Sequence, residues 1–320
     1  MFNLITHYYR RLPHYVSFRL PHWAFELLSP WFYRHCVPRL QDAPVLVYTM
    51  GKVGTISVLN SLRSAGVLFA RSTHYLRRTP RRYSYYPLAV SLSHKMQFAT
   101  RLLYIPWLNR LPRLRVITAA REPIGRILSL YLFTYSVRFG QKREDTSLQT
   151  LLKNFPRLFE QDYFHPLVPG YFLANQLQHS LGVDVYQHPS PRDEGTVTIE
   201  QGRLSLLVMK LEITDEQKTD ALSAWMDRPI PIGRNNTANH GGYAHIYEEF
   251  KRKVRIPHRY AEAIYRSSYM QHFYTLEERA KFWQRWEPQL DKSIPLPAWV
   301  EKQLQAYHPP IAELPSETSA

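Results

Sequence analysis

The sequence predicts an α/β fold built on a central parallel sheet. Three observations predict it: a short β-branched, apolar run at Val45-Leu-Val-Tyr-Thr49; a glycine-bearing turn, Met50-Gly51-Lys52-Val53-Gly54, followed by a helical apolar pattern ending at Gly66; and a second apolar run, Val67-Leu-Phe-Ala70, ending near Ser72-Thr73-His74. Strand, loop, helix and strand in that order form a βαβ unit, whose right-handed crossover leaves the two strands parallel. Within the helix Ile56, Leu59 and Leu62 recur at helical spacing until Gly66, which reads as the helix stop.

The next elements continue the pattern. Residues 77–86 are basic and tyrosine-rich, a solvated loop, and 88–108 has a mixed helical pattern expected of a connecting helix. Leu114-Arg-Val-Ile-Thr-Ala-Ala120 is a strand that runs into Arg121-Glu-Pro123, where proline suits the first turn of a helix reaching about Phe139. Residues 141–194 are mostly helical, with a loop at His188-Pro-Ser-Pro-Arg192. Val197-Thr-Ile199 reads as a short strand, Leu204-Ser-Leu-Leu-Val-Met209 as a buried one, and Tyr247 to Trp286 as helical and aromatic. The chain divides into a basic aromatic arm (1–43), an α/β domain (44–290) and a loose tail (291–320).

The charge balance is 41 Lys and Arg against 26 Asp and Glu, a formal +15, which favours anionic partners: nucleotide phosphates, acidic glycans, nucleic acid or an anionic membrane surface. Cys36 is the single cysteine, so no disulfide framework and no clustered Cys/His metal site is expected. In the arm, Arg19, His22, Glu26 and Arg34 interrupt any apolar run, short of the roughly 18 residues a membrane span needs. The arm reads as a docking segment, or as a peripheral membrane contact through Trp23, Phe25, Trp31 and Phe32. Absent an export signal, a cytoplasmic or membrane-peripheral location is expected.

The chemistry concentrates at two strand-to-helix junctions. The turn before Thr55 directs backbone N–H groups and a helix dipole at one point, which suits a phosphate or sulfonate. Lys52 adds a mobile positive charge, Gly51 and Gly54 permit close approach, and Thr55 and Ser57 offer hydroxyls. At the second junction Arg121 can hold a phosphate bidentately and Ser129, two helical turns on, can complete the cradle. Two anion sites on neighbouring strands suit a doubly phosphorylated nucleotide.

Tyr48-Thr-Met-Gly-Lys52-Val-Gly54-Thr55-Ile-Ser57, with Arg121 and Ser129, resembles the two nucleotide motifs of the sulfotransferase superfamily that uses 3′-phosphoadenosine 5′-phosphosulfate (PAPS). The resemblance implies a P-loop-like three-layer sandwich with a helical C-terminal part. It implies that Lys52, Val53, Gly54, Thr55, Ile56 and Ser57 bind the 5′-phosphosulfate, with Lys52 stabilising the leaving phosphate, and that Arg121 and Ser129 bind the 3′-phosphate. Sulfuryl transfer from PAPS to a hydroxyl, leaving 3′-phosphoadenosine 5′-phosphate (PAP) and using no metal, is the activity implied. Gly182-Val-Asp184-Val-Tyr186, Lys210-Leu-Glu212, Arg234-Asn-Asn236 and Tyr265-Arg-Ser-Ser-Tyr-Met-Gln-His272-Phe-Tyr274 are similar to a sulfotransferase-like family of bacterial capsular polysaccharide synthesis proteins, which implies a glycan acceptor. Ser267-Ser268 stands where that family often has lysine.

The transfer needs a base for the acceptor hydroxyl. His74, at the carboxyl end of a parallel strand and in the Thr-His context the superfamily often has, is the first candidate; His94 and Glu212 are the others. Arg77, Arg78, Arg81 and Arg82 would line an acceptor cleft, and the loop at Arg234-Asn235-Asn236 would close over the nucleotide. A Walker NTPase is disfavoured, because Lys52 precedes Gly54 and no Gly-Lys-Ser/Thr occurs in the chain. A non-catalytic basic module for nucleic acid, anionic glycan or membrane accounts for the charge but not for two matched anion motifs; no specific nucleic acid partner is expected.

Overall fold

The computed structural model describes residues 44–67, 70–73, 111–140, 145–160, 169–233 and 244–307. Its centre is a sheet of β1 (Val45–Tyr48), β2 (Ala70–Thr73), β3 (Leu114–Ala120), β4 (Thr196–Gln201) and β5 (Leu204–Lys210), in the order β2-β1-β3-β5-β4. β2, β1, β3 and β5 are mutually parallel. β4 pairs with β5 antiparallel, so the parallel sheet expected from the sequence gains an antiparallel edge. The link explains it: only Gly202 and Arg203 separate the two strands, with Gly202 at φ 57°, and so short a connection can only turn the chain back on itself.

The long helices are α1 (Thr55–Ser64), α2 (Pro123–Phe139), α3 (Leu148–Asn154), α4 (Asp215–Met226), α5 (Ala244–Lys253), α6 (His258–Tyr265), α7 (Ser268–Phe273), α8 (Leu276–Trp286) and α9 (Ala298–Tyr307). Alternate strand residues face opposite sides, and the sheet divides two hydrophobic clusters accordingly. Val45, Val47, Ile117, Leu207 and Met209 pack with Val58, Leu59 and Leu62 of α1 and Leu222 and Met226 of α4. Leu46, Tyr48, Val116, Leu206 and Val208 pack with α2, α3 and the C-terminal helices. β1 and β5 are buried along their whole length, as strands covered on both faces must be.

Local chemistry sets the helix ends. α1 stops in a Schellman motif: Gly66 N–H bonds the Arg63 carbonyl at 3.0 Å, Val67 N–H bonds the Leu62 carbonyl at 2.9 Å, and Gly66 is left-handed at φ 81°. Val67 therefore closes the helix; Leu68 and Phe69 of the apolar run lie outside the described residues, and Ala70 belongs to β2. Ile56 is 52% exposed, and Thr55, Val58, Leu59, Ser61 and Leu62 form the buried face. α8 begins with a reciprocal capping box between Thr275 and Glu278. Within the stretch read as a tail, α9 places Val300 and Leu304 in the main cluster.

The loop before β4 is pinned to the end of β5. Gly195 N–H donates to the Pro191 carbonyl at 2.7 Å, the Gly195 carbonyl accepts from Lys210 N–H at 2.8 Å, and Gly195 sits at φ 78° against the Ile213 side chain. Gly66 has a similar φ but open space around it. Gly66→Ala is expected to cost about 1–2 kcal/mol for the left-handed backbone alone, and Gly195→Ala to add about 1–3 kcal/mol of overpacking against branched Ile213. Urea denaturation of both variants checks the difference, which should appear as a lower midpoint for Gly195→Ala at unchanged slope.

Candidate functional site

Strand order reverses between β1 and β3: the chain leaves β1 toward β2 on one side and returns to β3 on the other. In open α/β sheets such a reversal opens a crevice at the carboxyl ends of the strands, where ligands bind. The loop after β1, the Arg121-Glu122 pair after β3 and Leu211-Glu212 after β5 all stand on this edge.

The β1 loop has the form of an anion cradle. Lys52 is at φ 70°, a left-handed conformation that costs a side-chain-bearing residue about 1–2 kcal/mol, and Gly54 follows at φ 79°. Val53 anchors the loop in the core. A Cβ on Gly54 would meet Leu211 Cδ1 at 2.8 Å, so the loop packs closely against the residue after β5. Among the described residues no side chain caps the start of α1, and its first turn carries no acid, which leaves its leading N–H groups suited to an anion. Thr49 and Thr55, both buried, join their hydroxyls at 2.6 Å beneath the loop, and Ser57 is half-buried.

The second junction meets the first. Arg121 Nη1 donates to the Lys52 carbonyl at 2.6 Å, and Lys52 Nζ lies 4.3 Å from the ring centroid of Phe133. Phe133 is one turn beyond Ser129 on α2, so the half-buried Ser129 shares the helix face turned toward the Lys52 loop. The structure therefore brings together Lys52, Val53, Gly54, Thr55 and Arg121, with Ser129 on the adjoining face and Ile56 and Ser57 in the first turn of α1. The N-terminus of α2 is already occupied: Glu122 Oε1 and Oε2 accept from Ile124 N–H at 2.7 Å and Gly125 N–H at 2.6 Å. Arg121 and Ser129 are left as the groups of that junction able to take an anion. His74, His94, Arg77, Arg78, Arg81, Arg82 and Arg234-Asn235-Asn236 lie outside the described residues.

Behind these groups is a network that sequence reasoning did not find. Tyr269 hydroxyl accepts from Arg121 N–H at 3.0 Å and stands 3.1 Å from the Arg121 carbonyl, as its donor. Tyr265 hydroxyl donates to Glu122 Oε1 at 2.6 Å. Glu212 Oε1 accepts from Glu122 N–H at 2.7 Å, and Oε2 accepts from Tyr274 hydroxyl at 3.0 Å. Burial, and then the neighbouring carboxylates, push the Tyr265 and Tyr274 hydroxyls well above the ordinary tyrosine range, so they act here as donors. Gln176, on the π-helical turn Leu173–Gln178, accepts from the Tyr48 hydroxyl at the end of β1 at 3.0 Å. The available signal was the cluster of tyrosines at 265, 269 and 274 together with an acid at each of two strand ends.

Glu212 keeps an exposed flank, but its carboxyl group is crowded by protein. That desolvation raises its pKa, with the Glu122 charge adding to the rise and the bonds from Glu122 N–H and Tyr274 opposing it. The folded state then holds a proton that the unfolded chain has released. Its contribution to stability is fully present below the ordinary carboxyl value of 4.5 and is lost as pH rises through the higher folded value. Glu212→Gln should abolish this falling segment in urea midpoints measured from pH 4.5 upward. Tyr265→Phe, which removes a hydrogen bond to the buried Glu122 carboxylate, should cost about 1.5–3 kcal/mol.

Residues 157–275, a little over a third of the chain, match the model of a family described as "Putative capsular polysaccharide synthesis protein". No curated protein and no solved structure matches the chain. The matched stretch contains β4, β5, Glu212 and the three tyrosines, while the Lys52 loop and Arg121 precede it.

Proposed function

We propose that the protein is a PAPS-dependent sulfotransferase acting on a hydroxyl of a glycan. The observation that carries the reading is the bond from Arg121 Nη1 to the Lys52 carbonyl, which joins two cationic strand-end segments across the reversal of strand order. A nucleotide with phosphates at both its 5′ and 3′ positions matches such a pair. On this reading the sheet and its two helical layers form a P-loop-like sandwich. The similarity to a polysaccharide synthesis family supports a carbohydrate acceptor.

In the proposed reaction the acceptor oxygen attacks sulfur as its proton passes to a base, and the bond from sulfur to the bridging phosphate oxygen breaks, releasing PAP. Lys52 and the leading amides of α1 stabilise the negative charge that grows on the departing phosphate. Arg121 and Ser129 hold the 3′-phosphate and so fix the line of attack. His74 is the proposed base. Both Glu212 oxygens already accept hydrogen bonds within the protein, which favours a supporting role for that residue.

Calorimetric titration with PAP, with ATP plus Mg²⁺ and adenosine 5′-phosphosulfate as controls, tests the reading. Saturable binding of PAP well above both controls is expected, and its absence in folded protein would leave the basic binding module as the better account of the +15 charge. Lys52→Ala and Arg121→Ala should each weaken PAP binding by about 1.5–3 kcal/mol. His74→Ala should leave PAP binding intact and abolish transfer of labelled sulfate; surviving transfer would assign the base to another residue.

A further inference from the structure

Away from the Lys52 crevice, on the β5 side of the same sheet edge, the loop before β4 is drawn against the α7–α8 corner. Ser190 hydroxyl donates to the His272 carbonyl, and Arg192 N–H donates to Ser190 Oγ at 3.1 Å. The buried Lys210 ammonium donates to the Arg192 carbonyl at 2.7 Å and to both oxygens of Glu278 at 2.6 and 2.9 Å. Arg279 is the next residue on α8. The backbones of Arg192 and His272 and the residue before Arg279 are thereby gathered at one corner.

The electrostatics of Arg192, Arg279 and His272 agree with that placement. Partial burial and then the Arg192 charge lower the proton affinity of Arg279, whose guanidinium nonetheless stays charged. Burial lowers that of His272, where the Asp184 charge works upward and the Arg192 charge downward. Among the described residues the buried Arg279 Nε has no hydrogen-bond partner and Arg279 forms no ion pair.

The nearby acids are engaged elsewhere or face solvent. Glu278 is held by Lys210 and by Thr275 N–H at 2.8 Å. Glu277 pairs with Lys281 at 2.6 Å. Asp184 accepts from Tyr186 N–H at 3.1 Å and Gln178 at 3.4 Å. Asp193 stands 3.7 Å from Arg192 Nε with both side chains exposed, and Glu194 is exposed. Among the described residues Arg192 therefore has only an exposed carboxylate beside it, and Arg279 carries a desolvated N–H; an anion that spans the two guanidiniums relieves their repulsion.

We propose that Arg192, Arg279 and His272 form a subsite for a carboxylate or sulfate group of an acidic polysaccharide. Their common position at the β5 end of the ligand-binding edge, with Arg192 and His272 inside the stretch similar to a polysaccharide synthesis family and Arg279 just beyond it, favours a glycan over other polyanions. The inference rests on the carbohydrate part of the proposed function and is independent of sulfuryl transfer.

Binding of a fluorescent oligogalacturonate and of dextran sulfate, measured by anisotropy beside neutral dextran and a single-stranded oligonucleotide of matched charge, tests it. At least one acidic polysaccharide should bind saturably and better than the oligonucleotide, and neutral dextran should not bind. Arg192→Ala, which retains the carbonyl used by Lys210, and Arg279→Ala should each weaken that binding about tenfold, as loss of a charge-assisted hydrogen bond would. Lys292→Ala, an exposed charge-matched control, should not. Arg279→Gln gives the same reading if the alanine variant is unstable. Equal loss in the Lys292 variant, equal binding of oligonucleotide or neutral dextran, or no loss in the folded arginine variants would overturn the subsite. PAP titrations of the same proteins separate the two readings: Arg279-dependent glycan binding without PAP binding sinks sulfuryl transfer alone, and PAP binding with glycan binding indifferent to Arg192 and Arg279 sinks the subsite alone.

Discussion

The fold turns on what happens to one carboxylate at the end of β3. Glu122 is only 3% exposed, and an isolated charge there would be prohibitively desolvated. It is tolerated because three donors converge on it: the amides of Ile124 and Gly125 and the hydroxyl of Tyr265. The first two make Glu122 the cap of α2, and the third ties α6 to the sheet. Its own N–H then commits Glu212, which in turn takes the Tyr274 hydroxyl between α7 and α8. Strand end, helix start and C-terminal helices are thus linked through a single side chain and its peptide.

That arrangement sets the neighbouring residue. Arg121 cannot drift while Tyr269, fully buried, holds both its N–H and its carbonyl. With its backbone fixed there, the guanidinium reaches the carbonyl of Lys52, a residue kept in an unfavourable backbone conformation. The cost at Lys52 is met by the surrounding structure, in the way strain is held where geometry must be set before a ligand arrives. Pre-organisation of this kind lowers the ordering cost of binding.

The sequence made the strand-loop-helix units legible because their signals are local. Apolar runs at 45–48, 114–120 and 204–210 stand out against their flanks, Gly66 marks the end of α1, and Pro123 marks the start of α2. The antiparallel turn of β4 was harder: Gly202-Arg203 is a weak hairpin signal, and β4 has a mixed burial pattern. Spacing alone does not give the buried face of α1: Ile56 keeps the helical spacing of Leu59 and Leu62 while lying on the outer face. The tyrosine network could not be read in advance. Each of its bonds joins residues far apart in the chain, and nothing in a tyrosine's neighbours along the sequence says which distant carboxylate its hydroxyl will meet.

The same network bears on how the chain is divided. The stretch similar to the capsular polysaccharide family begins after Arg121 and contains Tyr265, Tyr269, Tyr274 and Glu212. Had it been a separate module, its polar groups would be satisfied internally. Instead, Tyr269 bonds the Arg121 peptide, Tyr265 the Glu122 carboxylate, and Glu212 the Glu122 N–H, all across the boundary of the match. Separating the two parts would strand buried hydroxyls and a buried carboxylate at once, and each unmet group costs about 1–3 kcal/mol, more where charged. The cationic loops and the family-like segment therefore form one cooperative unit, and changes in the C-terminal helices should be felt at Lys52 without touching it.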